Sequence, residues 1–478
     1  MPKFDTQVQY LKYRVLKEVA KHAFEDNLTD CQYDIPKKIV KGNEATMRCC
    51  VYKERAIVGE RIKMAMGGNK SNPNIIEVLD IACDECPVTS YTVTDACRGC
   101  IAHRCEQNCR FGAISFDRHK AYIDPAKCKE CGKCASACPY GAIQISKRPC
   151  ERACKIKAIS MDENKKAKIT DEKCIQCGAC VYQCPFGAIM DKSFICDAID
   201  ILKESDFSEK HRVYAVVAPS ISAQFIDFKL GRIITAIKKL GFFSVVEAAL
   251  GADMVAFDEA KELSEKGFLT SSCCPAFVRY VELNFPLLKD DISHNPSPMQ
   301  VISKFIKKSD PGCKIVFIGP CTAKKAEFRL EKFKGIVDCV LTFEELQALF
   351  DSRDINIESL EESFLDNASY FGRIFARSGG LSKAVEQALS EQGVTPDKFE
   401  LKAVACDGIE ECRTALFKAS KSKALLGGNF IEGMACVGGC IGGAANLTHE
   451  PKDKNEVDKY GMLAKEKTIS DALRINTI

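Results

Sequence analysis

The sequence CIQCGACVYQCPFGAI at residues 174–189 determines the fold of much of the first half of the chain. The sequence CKECGKCASACPYGAI at residues 128–143 repeats its pattern. Each run has the spacing Cys-x2-Cys-x2-Cys-x3-Cys-Pro, in which three thiols can bind three corners of one 4Fe-4S cluster. The proline turns the chain away, so that the fourth cysteine reaches a neighbouring cluster. Zinc ribbons seldom carry this full run, and its repetition favours iron–sulfur clusters over zinc.

Shorter cysteine pairs precede both repeats and complete the predicted ligand sets. Cys105-x3-Cys109 lies before the first run, and Cys150-x3-Cys154 lies before the second. The segment resembles the tandem ferredoxin domains of electron-transfer subunits, and the crossed ligation of ferredoxins implies three sets. They are Cys109 with Cys128, Cys131 and Cys134; Cys138 with Cys97, Cys100 and Cys105; and Cys154 with Cys174, Cys177 and Cys180.

A fourth cluster depends on two further cysteines. Cys184 and Cys150 are left two ligands short of a complete set. Cys83-x2-Cys86-Pro87 is the unassigned Cys-x2-Cys pair nearby and would supply the missing thiols. We therefore expect three or four accessory 4Fe-4S clusters, the fourth resting on Cys83 and Cys86.

Composition argues against several other classes of protein. Lys and Arg number 68 against 65 Asp and Glu, a net charge of +3, so we expect no nucleic-acid partner. No apolar run approaches membrane-spanning length, and the first residues lack the apolar core of a secretory signal. We therefore expect a cytoplasmic protein with no membrane partner, in which the 29 cysteines stay reduced.

Basic residues lie among the cysteines of both repeats. They would suit docking of an acidic redox partner, and a solvated basic face is an equally good interpretation. These residues are Lys129, Lys133, Lys147, Arg148, Lys155 and Lys157.

Beyond about residue 205, strand-like apolar runs alternate with amphipathic helices. Strands are predicted at Val213–Val217, 314–318, 336–341, 401–405 and near Leu425, with a helix spaced from Ile226 to Leu240 and a capping box at Thr342 and Glu345. Such alternation indicates parallel sheets with ligands beyond the carboxyl ends of the strands. The predicted architecture is a region 1–80 of unknown role, α+β ferredoxin-like modules at 81–200, and a two-lobed α/β domain at 205–478.

Three further cysteine motifs lie in this second half. They are SSCCP at 271–275, GPCTAKKAE at 319–327 and EGMACVGGC at 432–440. None is a local chelate, so a site that uses all three must be assembled by the fold. Four soft thiolates gathered in this way suit an iron–sulfur centre.

These motifs resemble the signature motifs of the FeFe-hydrogenases, and the resemblance extends over roughly residues 95–450. It implies an H-cluster, which is a 4Fe-4S cubane joined through a cysteine to a two-iron unit. That unit carries carbon monoxide, cyanide and a bridging dithiolate amine, and maturation proteins install it. By position, the cubane ligands are Cys274, Cys321, Cys436 and Cys440, with Cys440 as the bridge.

The resemblance also implies roles for the surrounding residues. Cys273 would exchange protons with the bridging amine, and Glu259, Glu262 and Ser293 would continue the proton path. Contacts to the two-iron unit would come from Pro219, Ser220 and Lys324 at the cyanides and from Met434 and Phe375 beside it. On the residues alone, Cys273 is equally a packing thiol, and two glutamates on a helix ordinarily form a solvated face.

The expected function is reversible hydrogen oxidation and proton reduction, with a ferredoxin or similar low-potential carrier as the electron partner. Two other functions fit the same motifs: a hydrogen or redox sensor, and a non-catalytic iron–sulfur assembly factor of the same fold. Cys273 argues against a sensor, because sensory relatives usually lose this thiol. The repeated cysteine runs argue against the assembly factor, whose ferredoxin region is simpler.

Overall fold

Two ferredoxin-like modules are nested in the first half of the chain. A computed structural model describes residues 3–87, 90–117 and 119–476. The outer module pairs strand Ile76–Val78 with Ile189–Asp191, and the inner module pairs Tyr91–Val93 with Ile143–Ile145, both antiparallel. The inner module therefore interrupts the outer one between Cys86 and Cys150.

Each module adds a hairpin and two short helices to its outer strand pair. The hairpins are Ile114–Asp117 with Lys120–Ile123 and Ile159–Met161 with Ala167–Ile169. The helices are Arg104–Gln107 and Lys133–Ala137 in the inner module, and Pro149–Ala153 and Ala179–Gln183 in the outer one. Gly132 and Gly178 precede the second helix of each pair at φ of 76° and 79°, a conformation that favours glycine.

The second half contains two parallel sheets, which confirms the predicted two-lobed α/β architecture. One sheet has the strand order Ser244–Glu247, Val213–Val217, Lys314–Gly319, Cys339–Thr342. The other has the order Leu269–Thr270, Phe430–Met434, Ala403–Asp407. Their connections run through helices, as parallel pairing requires.

Most of the predicted elements are confirmed, and one is wrong. The strand expected near Leu425 is the helix Lys423–Leu426, which ends at Gly427 with a φ of 72° before strand Phe430–Met434 begins. Elsewhere the differences are shifts of a few residues: the expected 336–341 strand is Cys339–Thr342, and the helix spaced from Ile226 begins at Leu230. The capping box at Thr342 and Glu345 is present.

Helices cover both sheets and carry the loops of the candidate site. Those of the second half are Leu230–Lys239, Ala248–Lys266, Pro275–Asn284, Pro298–Ser309, Thr322–Glu327, Phe343–Ser352, Tyr370–Ile374, Gly380–Glu391, Ile409–Lys421, Asp453–Met462 and Ile469–Asn476. Helix Ile195–Glu204 connects the modules to the first sheet. Within the described ranges, no helix is long and apolar enough to cross a membrane.

The N-terminal segment packs against the larger sheet's lobe. Its helices are Gln7–Phe24, Leu28–Cys31, Ile35–Ile39 and Val51–Ala65. Leu16 and Val19 of the first helix belong to the same apolar core as Val216 and Leu346. A segment without a metal motif of its own therefore helps to support the lobe that carries Cys321.

Buried charges join this segment, the modules and the lobe at Asp191. Lys12 Nζ lies 2.5 Å from Asp191 Oδ1 and 2.5 Å from Glu344 Oε2. Lys325 Nζ lies 2.8 Å from Asp191 Oδ2 and 3.0 Å from Glu345 Oε1. All five side chains are buried. Burial alone would raise the pKa of Asp191, but the two lysines hold it well below its usual range.

We predict that Lys12→Met destabilises the protein by about 3–5 kcal/mol, because it leaves Glu344 buried without its cation and Asp191 with Lys325 alone. Chemical denaturation at neutral pH measures the change. Lys21→Met, at an exposed position of the same helix, is the control and should change stability by less than about 0.5 kcal/mol. Equal effects of the two substitutions would contradict a structural role for the buried charges.

Candidate metal centre

The four cysteines predicted to hold the cubane all lie just beyond the carboxyl ends of parallel strands. Cys274 follows strand Leu269–Thr270 and begins helix Pro275–Asn284. Cys321 follows Lys314–Gly319 in the other sheet and begins helix Thr322–Glu327. Cys436 and Cys440 follow strand Phe430–Met434. The two sheets thus contribute thiols to one site from both lobes.

The four thiols are close enough to affect one another electrostatically. Cys436 interacts with Cys321, Cys274 and Cys440. Burial, with a smaller contribution from the neighbouring thiols, raises the pKa of Cys321 to about 11 and that of Cys440 to about 12. Buried thiolates at neutral pH therefore require a bound cation. Bound iron would supply it, so the donor set fits an iron–sulfur cluster.

The four thiols match the four irons of a cubane, each of which takes one thiolate. Among the described residues, no group of three or more His, Cys, Asp or Glu could hold one metal ion. In a cubane each iron takes its own thiolate, so the ligands stand further apart than those of a mononuclear site.

The loop that carries Cys436 and Cys440 is held from several sides. A Cβ on Gly442 would lie 1.8 Å from Val437 O, so only glycine permits this turn. Asp407 accepts a hydrogen bond from the Gly438 amide, and Asn446 Nδ2 donates to Cys440 O at 3.2 Å. Asp407 and Asn446 lie outside the cysteine motifs, and sequence inspection did not single them out.

Polar groups face the site from the larger lobe. The Ser220 hydroxyl is buried without a hydrogen-bond partner, in the turn Pro219–Ala223 that contacts Cys440–Gly442. Lys324 Nζ donates to Cys273 O at 3.2 Å and lies 2.7 Å from Glu327 Oε2. Burial lowers the pKa of Lys324, but Glu327 more than compensates and keeps the ammonium charged. Glu327 lies within the second motif, yet its pairing was not predicted.

Apolar side chains close the other side of the site. Phe375 follows helix Tyr370–Ile374 and Met434 ends strand Phe430–Met434. Both are buried in one apolar cluster with Cys273. The structure thus brings together the residues predicted to contact the two-iron unit, and it buries Ser220, Phe375 and Met434 among them.

A buried acid adjoins Cys273. Glu259 Oε1 accepts a hydrogen bond from the Ser272 amide, with an N–O distance of 3.3 Å. Its Oε2 is buried and has no hydrogen-bond partner among the described residues. Burial raises the pKa of Glu259 to about 8, so this carboxyl is largely protonated at neutral pH. Burial also raises the pKa of Cys273, and Glu259 raises it further. The thiol and the carboxyl are therefore adjacent neutral proton carriers.

The chain of exchangeable groups continues to the surface. The Ser293 hydroxyl interacts with Glu259 and donates to Glu262 Oε2 at 3.1 Å. Glu262 Oε1 lies 2.6 Å from His294 Nδ1, and that histidine side chain is 75% exposed. The structure thus places the candidate proton carriers in the spatial order Cys273, Glu259, Ser293, Glu262. His294, which sequence inspection did not single out, lies at the outer end.

Two predicted ligand sets line separate cavities of the inner module. One cavity is lined by Cys97, Cys100, Cys105 and Cys138, and the other by Cys109, Cys128, Cys131 and Cys134. A third set lines a larger cavity of the outer module, which extends to Cys436: Cys154, Cys174, Cys177 and Cys180.

The remaining pairs, Cys83 with Cys86 and Cys150 with Cys184, also meet in the outer module. Cys86 interacts electrostatically with Cys83 and Cys184, and Cys150 interacts with Cys184 and Cys86. Backbone amides donate to the sulfurs in matching positions of both modules. The Ala167 amide lies 3.3 Å from Cys83 Sγ, as the Ala121 amide lies 3.4 Å from Cys97 Sγ. Cys83 therefore occupies the position of Cys97.

The four accessory sets form a series that ends at the candidate metal centre. Cys177 interacts with Cys274, and a Cβ on Gly178 would lie 2.6 Å from Thr322 Oγ1. Cys180 interacts with Cys150 of the next set. Tyr91, where the chain enters the inner module, lines the cavity of Cys109, Cys128, Cys131 and Cys134. The set containing Cys97 lines the other cavity of the inner module.

Three protein-family models match separate parts of the chain. Residues 211–444 match the iron-only hydrogenase large subunit, C-terminal domain. Residues 121–144 match a 4Fe-4S binding domain, and residues 148–188 match a 4Fe-4S dicluster domain.

Similar proteins fall into two groups. The chain is 31% identical over 302 residues to iron hydrogenase 1 of Clostridium pasteurianum, covering 52% of each protein, so it spans about half the length of that relative. It is 36% identical over 94 residues, 20% of each chain, to the cytosolic Fe-S cluster assembly factor NAR1 of Kluyveromyces lactis. A solved FeFe-hydrogenase HydA1 from Chlamydomonas reinhardtii aligns with 58% of this chain and 91% of its own at a TM-score of 0.48 and 18% identity.

We predict that Cys83→Ser lowers the iron content of anaerobically prepared protein by about four atoms per chain, because one cubane loses a ligand. Cys49→Ser, at an exposed cysteine outside every set, is the control and should keep full iron. Iron is measured by colorimetric assay against protein concentration. Unchanged iron in Cys83→Ser would remove Cys83 from the ligand set.

Proposed function

Because the chain is an FeFe-hydrogenase-like protein, we propose that it catalyses the reversible reaction 2H+ + 2e− ⇌ H2 at an H-cluster. Accessory 4Fe-4S clusters relay electrons between this centre and a ferredoxin or similar low-potential carrier. Maturation proteins install the two-iron unit. A cytoplasmic location is part of the proposal, since thiol ligands persist best in a reducing compartment.

One observation carries the proposal, namely the series of neighbouring proton carriers from Cys273 to the surface. An electron-transfer or assembly protein has no need of a buried thiol and a buried neutral acid beside its cluster. Hydrogen chemistry needs both, because a proton must reach or leave a dry site at every turnover. The raised pKa of Glu259, about 8, suits an acid that gives and takes protons near neutral pH.

The residues around the site have distinct tasks under this proposal. Cys274, Cys321, Cys436 and Cys440 would hold the cubane, and Cys440 would also bridge to the two-iron unit. When bound, the H-cluster supplies the iron chemistry that forms or cleaves the H–H bond. Lys324 and Ser220 offer hydrogen bonds to anionic ligands in a site without water. Phe375 and Met434 exclude water from it.

Proton movement falls to the chain's own side chains. In hydrogen oxidation the Cys273 thiol passes its proton to Glu259 as Glu259 passes its own proton on to Ser293, and in hydrogen evolution the same transfers run in reverse. The Ser293 hydroxyl connects Glu259 to Glu262, from which His294 and solvent complete the path. Each transfer joins neighbouring exchangeable groups, as rapid proton relay requires.

Electron exchange is supported by the charge of the inner module. Residues 90–148 contain ten Lys and Arg against five Asp and Glu, a net charge of +5, although the whole chain has only +3. The Cys97 set of this module is edged by the exposed residues Arg98 and Arg104. An acidic carrier would be attracted to this end of the relay.

The competing function is iron–sulfur cluster assembly, which the relative NAR1 suggests by name. A probable cytosolic Fe-S cluster assembly factor of Aedes aegypti is 25% identical over 303 residues, about the length of the hydrogenase match, so the residues of the site and not the length of the match distinguish the two functions. An assembly role gives no task to the path from Cys273 to Glu262. We therefore favour catalysis.

We predict that matured wild-type protein evolves hydrogen with a reduced low-potential dye and that Glu259→Gln lowers this rate by about 10²–10⁴-fold. Glutamine matches the shape of the neutral acid but cannot relay a proton. Glu265→Gln, at an exposed position of the same helix, is the control and should keep the wild-type rate. Gas chromatography of headspace hydrogen gives the rates.

Two results would contradict the proposal in different ways. Wild-type protein with complete clusters that evolves no hydrogen would exclude catalysis. An active Glu259→Gln would leave catalysis in place and remove Glu259 from the proton path.

A further inference from the structure

Two buried arginines adjoin the set formed by Cys83, Cys86, Cys150 and Cys184. Arg61 and Arg148 are each 5% exposed. Arg61 interacts electrostatically with Cys184, and Arg148 interacts with Cys86. They approach the set from opposite parts of the chain, one from the N-terminal helix Val51–Ala65 and one from the end of the inner module.

Neither arginine forms an ion pair with a carboxylate among the residues that the structure describes. Arg61 Nη2 donates to Phe186 O at 3.1 Å, and Arg148 Nε donates to Pro87 O at 3.1 Å. The Nη1 group of Arg148 is buried without a hydrogen-bond partner. A buried guanidinium without a counter-charge is costly, so these positions require a nearby negative group.

Other charges near the set are already paired or reach water. Arg48 forms ion pairs with Asp84 and Glu85, and Lys53 pairs with Asp84. Glu151, which also interacts with Cys86 and Cys150, is partly exposed. The uncompensated buried charge beside this set is therefore positive.

The other accessory sets have weaker cationic surroundings. Arg98 and Arg104 edge the Cys97 set but are exposed, so water and salt screen their charges. Arg279 interacts with Cys174, but it is partly exposed. Buried charges act through a lower dielectric and have the larger effect on a neighbouring cluster.

We propose that Arg61 and Arg148 are the counter-charges of a 4Fe-4S cluster at Cys83, Cys86, Cys150 and Cys184, and that they make it the most easily reduced accessory cluster. The inference rests on the electron relay of the proposed function. A cluster held by four thiolates is anionic and gains one more negative charge when it accepts an electron from the carrier. Nearby buried cations favour the reduced form. This cluster then holds the first electron that enters the relay, in the middle of the series.

The test is a redox titration of the anaerobically prepared full-length protein, followed by electron paramagnetic resonance. The first cluster to be reduced in wild-type protein should respond to Arg148→Gln. At a fixed potential its ratio of reduced to oxidised form should fall by about tenfold, and the other clusters should not change. Arg148→Lys keeps a positive charge and should restore most of the ratio.

Arg104→Gln is the matched control, because it removes an arginine that edges the Cys97 set but is exposed. It should change no cluster's ratio by more than about twofold. An unchanged titration of Arg148→Gln with full iron content, or equal shifts of all clusters, would overturn the inference. The inference would also be overturned if the first cluster to be reduced did not respond to Arg148→Gln while another cluster did. A protein without hydrogen activity but with these titrations would refute only the proposed function.

Discussion

The buried charges around Asp191 hold the electron-transfer modules against the site that they would serve. Asp191 ends the outer module, and its two lysines come from the first helix of the chain and from the helix that Cys321 begins. Removing either lysine leaves a buried glutamate without a cation, so the contact tolerates little rearrangement. Electron transfer depends steeply on distance, and this contact keeps Cys177 beside Cys274.

The candidate metal centre likewise depends on contacts between distant parts of the fold. The strands of both parallel sheets point their carboxyl ends at one site, and the loops that follow these strands carry the four thiols. Burial makes Cys321, Cys436 and Cys440 poor thiolates on their own, because the charged form loses its solvation. Bound iron would instead favour the thiolate form of these cysteines. Burial, which disfavours the thiolate form of these cysteines, also keeps Glu259 neutral and therefore able to relay a proton.

Local signals in the sequence predicted much of this arrangement. The cysteine spacing indicated three ligand sets that line common cavities, and apolar runs located most strands within a few residues. Contacts between distant segments were harder to foresee. Asp407 reaches the loop at Gly438 only because two strands pair, and the nesting of the modules separates Cys86 from Cys150. Leu425 was assigned to a strand because its neighbours are apolar, whereas Gly427 ends a short helix there.

Infrared spectroscopy of the matured protein tests the central claim most directly, because carbon monoxide and cyanide bound to iron absorb where protein does not. The account predicts these bands in the wild-type protein and their loss in Cys440→Ser, with the electron paramagnetic signals of the accessory clusters retained in both. Absence of the bands from wild-type protein, when an FeFe-hydrogenase matured in parallel shows them, would contradict the assignment of an H-cluster to this site.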